Sequence, residues 1–370
     1  MDIKRSDFNF TPYLRRSNLR ATWQLLTTFI PITGLWVLLY KISHLTVSTP
    51  LKVLAAIPII VILVLLSSRA FSLMHDCGHG LLFETRWLNT VTGFLLGCLN
   101  AIPQHPWSRG HAYHHKHNGN WELYKGPCAV KSLIEYKALS KSKKRLYKLS
   151  RHPFMLFPGG FYYLIIKPRL ALVLGISEFL YVLLSKLTTR ISEKGLKGIG
   201  STFHTVKNYQ SSYWYTSREL ADIILNNFVV VGSWILMSLW LGTGVFWTYY
   251  SIIMTCSAAI FICIFFVQHN FEGSYANGSD GWSPVDGALE GSSNLEIPRL
   301  LNWFFADISF HSIHHLCDRI PNYNLRLCHY NNQNLLQNTK TIKLKDIQGC
   351  FEYILWDSES NRLTTIKEAS

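Results

Sequence analysis

Residues 51–79 read LKVLAAIPIIVILVLLSSRAFSLMHDCGH, a long and mostly apolar run that ends in two histidines four residues apart. A helix rises about 1.5 Å per residue, so about twenty apolar residues cross the roughly 30 Å of bilayer hydrocarbon. The segment 51–73 meets that length, and HDCGH lies at its mouth. Three other segments qualify: 23–40 before it, and 223–241 and 247–267 after it. They pair into two hairpins, because the links at 44–50 and 242–246 are short and almost uncharged.

Composition agrees with partial burial in lipid: 48% of residues are hydrophobic, 16% charged, and the mean hydropathy is +0.12. The net charge of +14 could suit nucleic acid, yet the cations lie between apolar spans and outside any soluble recognition motif. Nucleic acid is therefore excluded as a partner, and anionic lipid headgroups are expected instead. Residues 109–218 hold nineteen Lys and Arg against few acids. The positive-inside rule then puts that segment and both chain ends in the cytoplasm.

The first twenty residues are polar and basic and lack the apolar core of a cleaved signal, so the amino terminus is expected to be retained. The eight cysteines (Cys77, Cys98, Cys128, Cys256, Cys263, Cys317, Cys328 and Cys350) contain no CxxC pair and are read as reduced thiols. Two shorter apolar stretches, 87–102 and 171–184, are expected to be re-entrant or interfacial, with Lys167, Pro168 and Arg169 interrupting a would-be fifth span. The basic run at 141–151 reads equally as a headgroup-binding face or a solvated loop. No span follows residue 295, which predicts a soluble cap and a weakly ordered tail near 358–370.

Eight of the fifteen histidines fall into three groups: His75 and His79 in HDCGH, His111, His114 and His115 in HAYHH, and His311, His314 and His315 in HSIHH. Spacings of three and four put side chains on one helical face, so each group can aim several imidazoles at one point. Imidazole suits iron, zinc, copper and nickel. The span count places all three groups, and His269 at the end of the fourth span, on one side of the bilayer. A shared site is thus allowed. His105 and His117 flank the middle group and are assigned no ligand role, and His44, His152, His204 and His329 carry no pattern.

The order HDCGH, HAYHH and, after two further spans, HSIHH resembles the three histidine boxes of membrane fatty acid desaturases. The surrounding segments PQHPWSRGHAYHHKHNGNWE, FFVQHNFEGSY and HSIHHLCDRIPNYNLRLCH are most similar to the acyl-lipid desaturases of bacteria and plastids. The resemblance implies an all-α integral membrane protein with four transmembrane helices under a cytosolic helical cap. It also implies two iron ions held by His75, His79, His111, His114, His115, His311, His314 and His315, with His269 as an additional ligand. On this frame residues 1–22 are a cytosolic amino-terminal segment, 23–335 the membrane domain with its cap at 74–222 and 268–335, and 336–370 a cytosolic tail.

An internal methylene has no acidic proton and no leaving group, so only an oxidant made from O2 at a redox metal can attack it. Zinc has no redox chemistry and takes three or four ligands, whereas this set fits two redox metals better. Neither a Glu-x-x-His pair nor HExxH is present. Ligating rings usually donate their second N–H to a neighbouring group, for which Asp76, Glu122, Asn270, Glu272 and Asp307 are candidates, each equally readable as a cap or surface residue. In the LFPGG segment Phe157 stands where a fused cytochrome b5 domain would have its haem-binding histidine, so electrons are expected from a separate ferredoxin-type or cytochrome donor.

The expected reaction is O2-dependent insertion of a double bond into a lipid acyl chain. A hydroxylase or ketolase of the same superfamily, acting on a lipid, alkane or carotenoid, is the enzymatic alternative. A membrane haem carrier or metal transporter is the alternative from another class, disfavoured by histidines outside the hydrocarbon and nearly charge-free spans.

Overall fold

The computed structural model describes residues 3–124, 129–195, 209 and 211–368. Cys128 and His204 lie outside the described residues, and the other seven cysteines are all free. The helices that matter for function are α1 (Asn18–Ser43), α2 (Thr49–Gly78), α3 (Arg86–Leu99), α4 (Gln104–Lys116), α5 (Lys141–Ser150), α6 (Leu156–Phe161), α7 (Lys167–Lys194), α8 (Ser217–Leu241), α9 (Thr243–Val267), α10 (Arg299–Phe304), α11 (His311–Leu316) and α12 (Asn322–Asn331).

Five helical runs are long and apolar enough to cross a membrane: α1, α2, the continuous run Pro153–Glu193, α8 and α9. Four of them contain the expected segments. The fifth differs from the sequence expectation, because Lys167-Pro168-Arg169 does not interrupt the helix. A π-helical turn, Tyr162–Ile166, joins α6 to α7, and Pro168 falls in the first turn after it. The missing N–H of Pro168 leaves the Leu164 carbonyl without its usual donor, and Arg169 Nη1 donates to it at 3.4 Å.

Both hairpins are visible. α1 and α2 meet through a short turn, and Gly242 joins α8 to α9 with φ of 86°, a left-handed conformation that favours glycine. Lipid is as apolar as leucine, so helices in it associate through close packing of small and flat groups. Phe71 of α2 stacks on Phe261 of α9 with ring centroids 3.8 Å apart, and Ser68 lies 3.3 Å from Ser257 along the same seam. Gly160 of α6 lies directly on α9: a Cβ there would come within 2.7 Å of the Ala258 Cβ.

The cap is mostly helical but is not purely α. It contains strands β1 (Lys131–Ser132), β2 (Asn294–Glu296), β3 (Thr341–Lys343), β4 (Tyr353–Asp357) and β5 (Arg362–Thr365). β1 pairs in parallel with β4, which pairs antiparallel with β5, and β2 pairs in parallel with β3. Strands of two to five residues are too short for alternation to show in the sequence.

The expected weak order near 358–370 meets a different outcome, since β5 lies within it. Ala276 N–H donates to Asn361 O, Leu363 N–H to Ser274 O, Arg362 to Gly273 O and Trp356 Nε1 to Ala276 O. The β4–β5 hairpin therefore holds the loop that follows His269.

Replacing Gly160 by valine should overpack the α6–α9 seam and cost about 1–3 kcal/mol. A lowered unfolding temperature of the detergent-solubilised protein is the expected result, and an unchanged melt would contradict the packing described.

Candidate metal centre

Each histidine group stands at the end of a helix. His75 is in the last turn of α2 and His79 caps it, after which Gly80 with φ of 70° turns the chain away. His111, His114 and His115 occupy the last turns of α4, and the third group forms most of the six-residue α11. His269 follows the end of α9 by two residues.

These ends converge. Donor atoms of His75, His79, His111, His115 and His314 lie within 4.8 Å of one another, as do those of His114, His269, His311 and His315. The nine residues singled out in the sequence thus form two adjoining groups, each able to hold a metal ion. The groups touch where the His115 and His315 rings stack with centroids 4.3 Å apart. Helical geometry decides the sorting. In each His-x-x-His-His segment the residues four apart share a face and join one group, while the histidine between them is rotated into the other.

The nitrogens point at one another in a way neutral rings alone do not satisfy. Nε2 of His111 lies 3.0 Å from Nε2 of His115, and Nε2 of His311 lies 3.0 Å from that of His269 and 3.1 Å from that of His315. Only one proton fits between two such nitrogens. Buried ring nitrogens of His75, His79, His114, His115, His311, His314 and His315 have no hydrogen-bond partner. The unpartnered atom is Nε2 in His75, His79 and His314 and Nδ1 in His114, His115, His311 and His315. Cations at the two focal points would take the lone pairs of the nitrogens that face each other there. Burial, reinforced by neighbouring histidines, holds His79, His111, His114, His115, His311, His314 and His315 well below the usual imidazole pKa, and burial lowers His269 to about 4. Neutral imidazole is the form that ligates metal.

Outer groups fix two of the rings. His269 Nδ1 lies 3.1 Å from the Gly291 carbonyl, which can only accept, so Nδ1 carries the proton and Nε2 offers its lone pair inward. His75 Nδ1 likewise donates to Asp76 Oδ1 at 3.2 Å, while Asp76 Oδ2 accepts from Asn322 N and Nδ2, both at 2.8 Å. Asp318 approaches His79 Nδ1 to 3.9 Å. Asn322, Asp318 and Gly291 carried no signal of their own in the sequence.

The other four polar candidates lie off the rings. Glu122 accepts from Ser279 N at the surface, Glu272 faces Lys340 in solvent, Asn270 donates to Tyr353 O, and Asp307 is bonded by Asn302. His105 and His117 stand outside both groups. The backbone N–H of His105 donates to Asp222, and the His117 ring bonds the Tyr113 carbonyl.

On the membrane side the rings rest on an aromatic wall. Trp107 stacks on His111 at 4.9 Å, and Phe265 lies 6.1 Å from His75 and 5.9 Å from His311. On this side the site is apolar, a setting for chemistry on a hydrocarbon.

The family model described as fatty acid desaturase matches residues 48–341. A fatty acid desaturase of Bacillus subtilis is 31% identical over 93% of this chain and 85% of its own length. An sn-1 oleoyl-lipid 12-desaturase of Synechocystis is 24% identical over 70% of this chain and 63% of its own. A chloroplastic omega-3 fatty acid desaturase of Glycine max is 44% identical over a short segment, 14% of this chain and 12% of its own. With the family match running from α2 through α9 and every histidine segment, the chain belongs to the fatty acid desaturase family.

Proposed function

We propose that the chain is a membrane acyl-lipid desaturase whose nine clustered histidines hold two iron ions on the cytoplasmic side of the bilayer. The observation that carries this reading is the pair of donor groups, five and four imidazoles whose donor nitrogens lie within 4.8 Å of one another in each group beside an aromatic wall. Iron bound there would supply, with O2 and two electrons from an external ferredoxin-type or cytochrome donor, an oxidant able to take hydrogen from an unactivated methylene.

The remaining work falls to the chain's own residues. Asp76, fixed by Asn322, holds His75 in one tautomer, and the Gly291 carbonyl does the same for His269. Trp107, Phe71 and Phe265 exclude water from the membrane side and offer an acyl chain an apolar approach between cap and spans. The lipid-linked form of the substrate is favoured by the name of the Synechocystis relative, an oleoyl-lipid desaturase.

We read four of the five long helices as crossings. His115 and His269 belong to touching groups, so the chain between them must cross an even number of times. α8 and α9 supply two crossings, which leaves the run Pro153–Glu193 on one side. Its anchor points support a helix lying in the plane of the inner leaflet. Gly160 packs on Ala258 and Arg169 bonds Asn226 and Asn227. Ala258 and Asn226 are each fifteen residues from the Gly242 end of their helices, the same depth of about 22 Å. Farther on, Glu178 accepts from Ser211 and Ser212, which precede α8 on the histidine side.

Metal-stripped protein reloaded with Fe2+ should form double bonds in acyl lipids when given O2 and reduced donor, and protein reloaded with Zn2+ should not. An oxygenated product without a new alkene would instead establish the hydroxylase alternative. His114→Ala and His315→Ala should each abolish turnover while the protein still inserts in the membrane, whereas Asp76→Asn should lower iron affinity or activity by about 10–100-fold. Retained activity in the histidine variants would remove them from the ligand set. For the topology, a cysteine placed at the exposed Tyr181 should react with an impermeant maleimide from the histidine side. Labelling from the opposite side would make α7 a crossing.

A further inference from the structure

Arg69 stands near the histidine end of the apolar helix α2, and the metal site makes no use of it. Its side chain is buried between α1, α2 and α10, where Nε donates to Thr28 Oγ1 at 3.1 Å, Nη1 donates to the Trp303 carbonyl, and the guanidinium lies 3.9 Å above the Trp303 ring. No protein group among the described residues accepts from Nη2. The side chain ends at an open groove of about 490 Å³ shared with Arg20, Trp23, Gln24 and Tyr323.

Across Trp303 and Tyr323 that groove continues into a second of about 440 Å³, lined by Arg299, Arg326 and Tyr330. Three arginines therefore line one furrow, with the Arg69 guanidinium buried behind its wall. The carboxylate in the furrow, Asp307, is bonded by Asn302 and is the nearby countercharge for Arg326, Arg69 and Arg299, while Arg20 donates to Asn324 Oδ1. Four guanidinium groups against one carboxylate leave an excess of positive charge, which an anion balances.

The level of the furrow says which anion. Counting from Leu51, about twenty residues of α2 cross the hydrocarbon and end near Phe71, so Arg69 sits at the boundary with the headgroups. Arg20 and Trp23 occupy the matching end of α1. Below the furrow the outer face of α1 is an apolar stripe, Leu19, Trp23, Leu26 and Ile30, with exposures of 81%, 66%, 46% and 64%. Arginines at the top and an exposed hydrocarbon track beneath them match a phosphate with acyl chains attached.

We propose that this furrow is a binding site for a membrane glycerophospholipid of net negative charge, its phosphate between Arg20 on one side and Arg299 and Arg326 on the other, with the buried Arg69 adding positive charge from behind the wall, and its tails along α1. The site is separate from the histidine groups but linked to them. Gln24 in the furrow wall donates to Asn322 Oδ1 at 2.6 Å, and Asn322 holds Asp76, which orients His75. Headgroup occupancy thus bears on the same asparagine that steadies the first metal group.

The test uses the full chain in detergent, titrated with phosphatidylglycerol or phosphatidylcholine and followed by native mass spectrometry. Arg299→Gln/Arg326→Gln alters residues at the rim and is expected to fold. It should weaken phosphatidylglycerol binding about tenfold or more, with little change for phosphatidylcholine. Arg20→Gln, also exposed, should act in the same direction. Inorganic phosphate at millimolar concentration should not displace the lipid. Equal binding of phosphatidylglycerol by wild type and both variants would overturn the site. Displacement by free phosphate would overturn the lipid as its occupant in favour of a soluble phosphate compound.

Discussion

Nine imidazoles packed into one buried space resist taking up charge and bring their ring nitrogens face to face. That arrangement is unfavourable by itself, because burial removes the water that would otherwise satisfy the nitrogens. It becomes favourable when cations occupy the two foci, so the centre and the fold around it are energetically coupled. The helix ends, the carboxylate behind His75 and the carbonyl behind His269 all serve to keep rings in place that would otherwise turn away.

The centre has an approximate two-fold logic. Each hairpin brings histidine to the mouth of its second helix, and each is followed by a His-x-x-His-His segment on a short helix. Every such segment gives two rings to one group and the third to the other. The interlocking means that neither group can form without both halves of the chain. It also explains the inequality of five and four, since α2 ends in two histidines whereas α9 is followed by one.

Much of this was legible in the sequence, for physical reasons. Hydrocarbon thickness fixes span length, so the two hairpins stood out, and helical spacing marked the histidine groups. The run Pro153–Glu193 was read as broken because lysine, proline and arginine interrupt its apolar pattern, while the π-turn that accommodates them has no sequence signature. The short strands of the cap were invisible to periodicity. Polar groups behind the rings were the hardest to find. Asp76 is legible because it adjoins His75, but its partner Asn322 is 246 residues away and only the fold brings the first residue of α12 to it. Glu122, Glu272 and Asp307 resembled Asp76 in type and proximity to a box, yet each turns to a different neighbour.

The hairpin of β4 and β5 grips the loop after His269 from about ninety residues farther along the chain. The Gly291 carbonyl orients the His269 ring itself, and the hairpin adds a second hold on the loop just beyond it. The smaller histidine group thus leans on a strand that is synthesised long after its own His269.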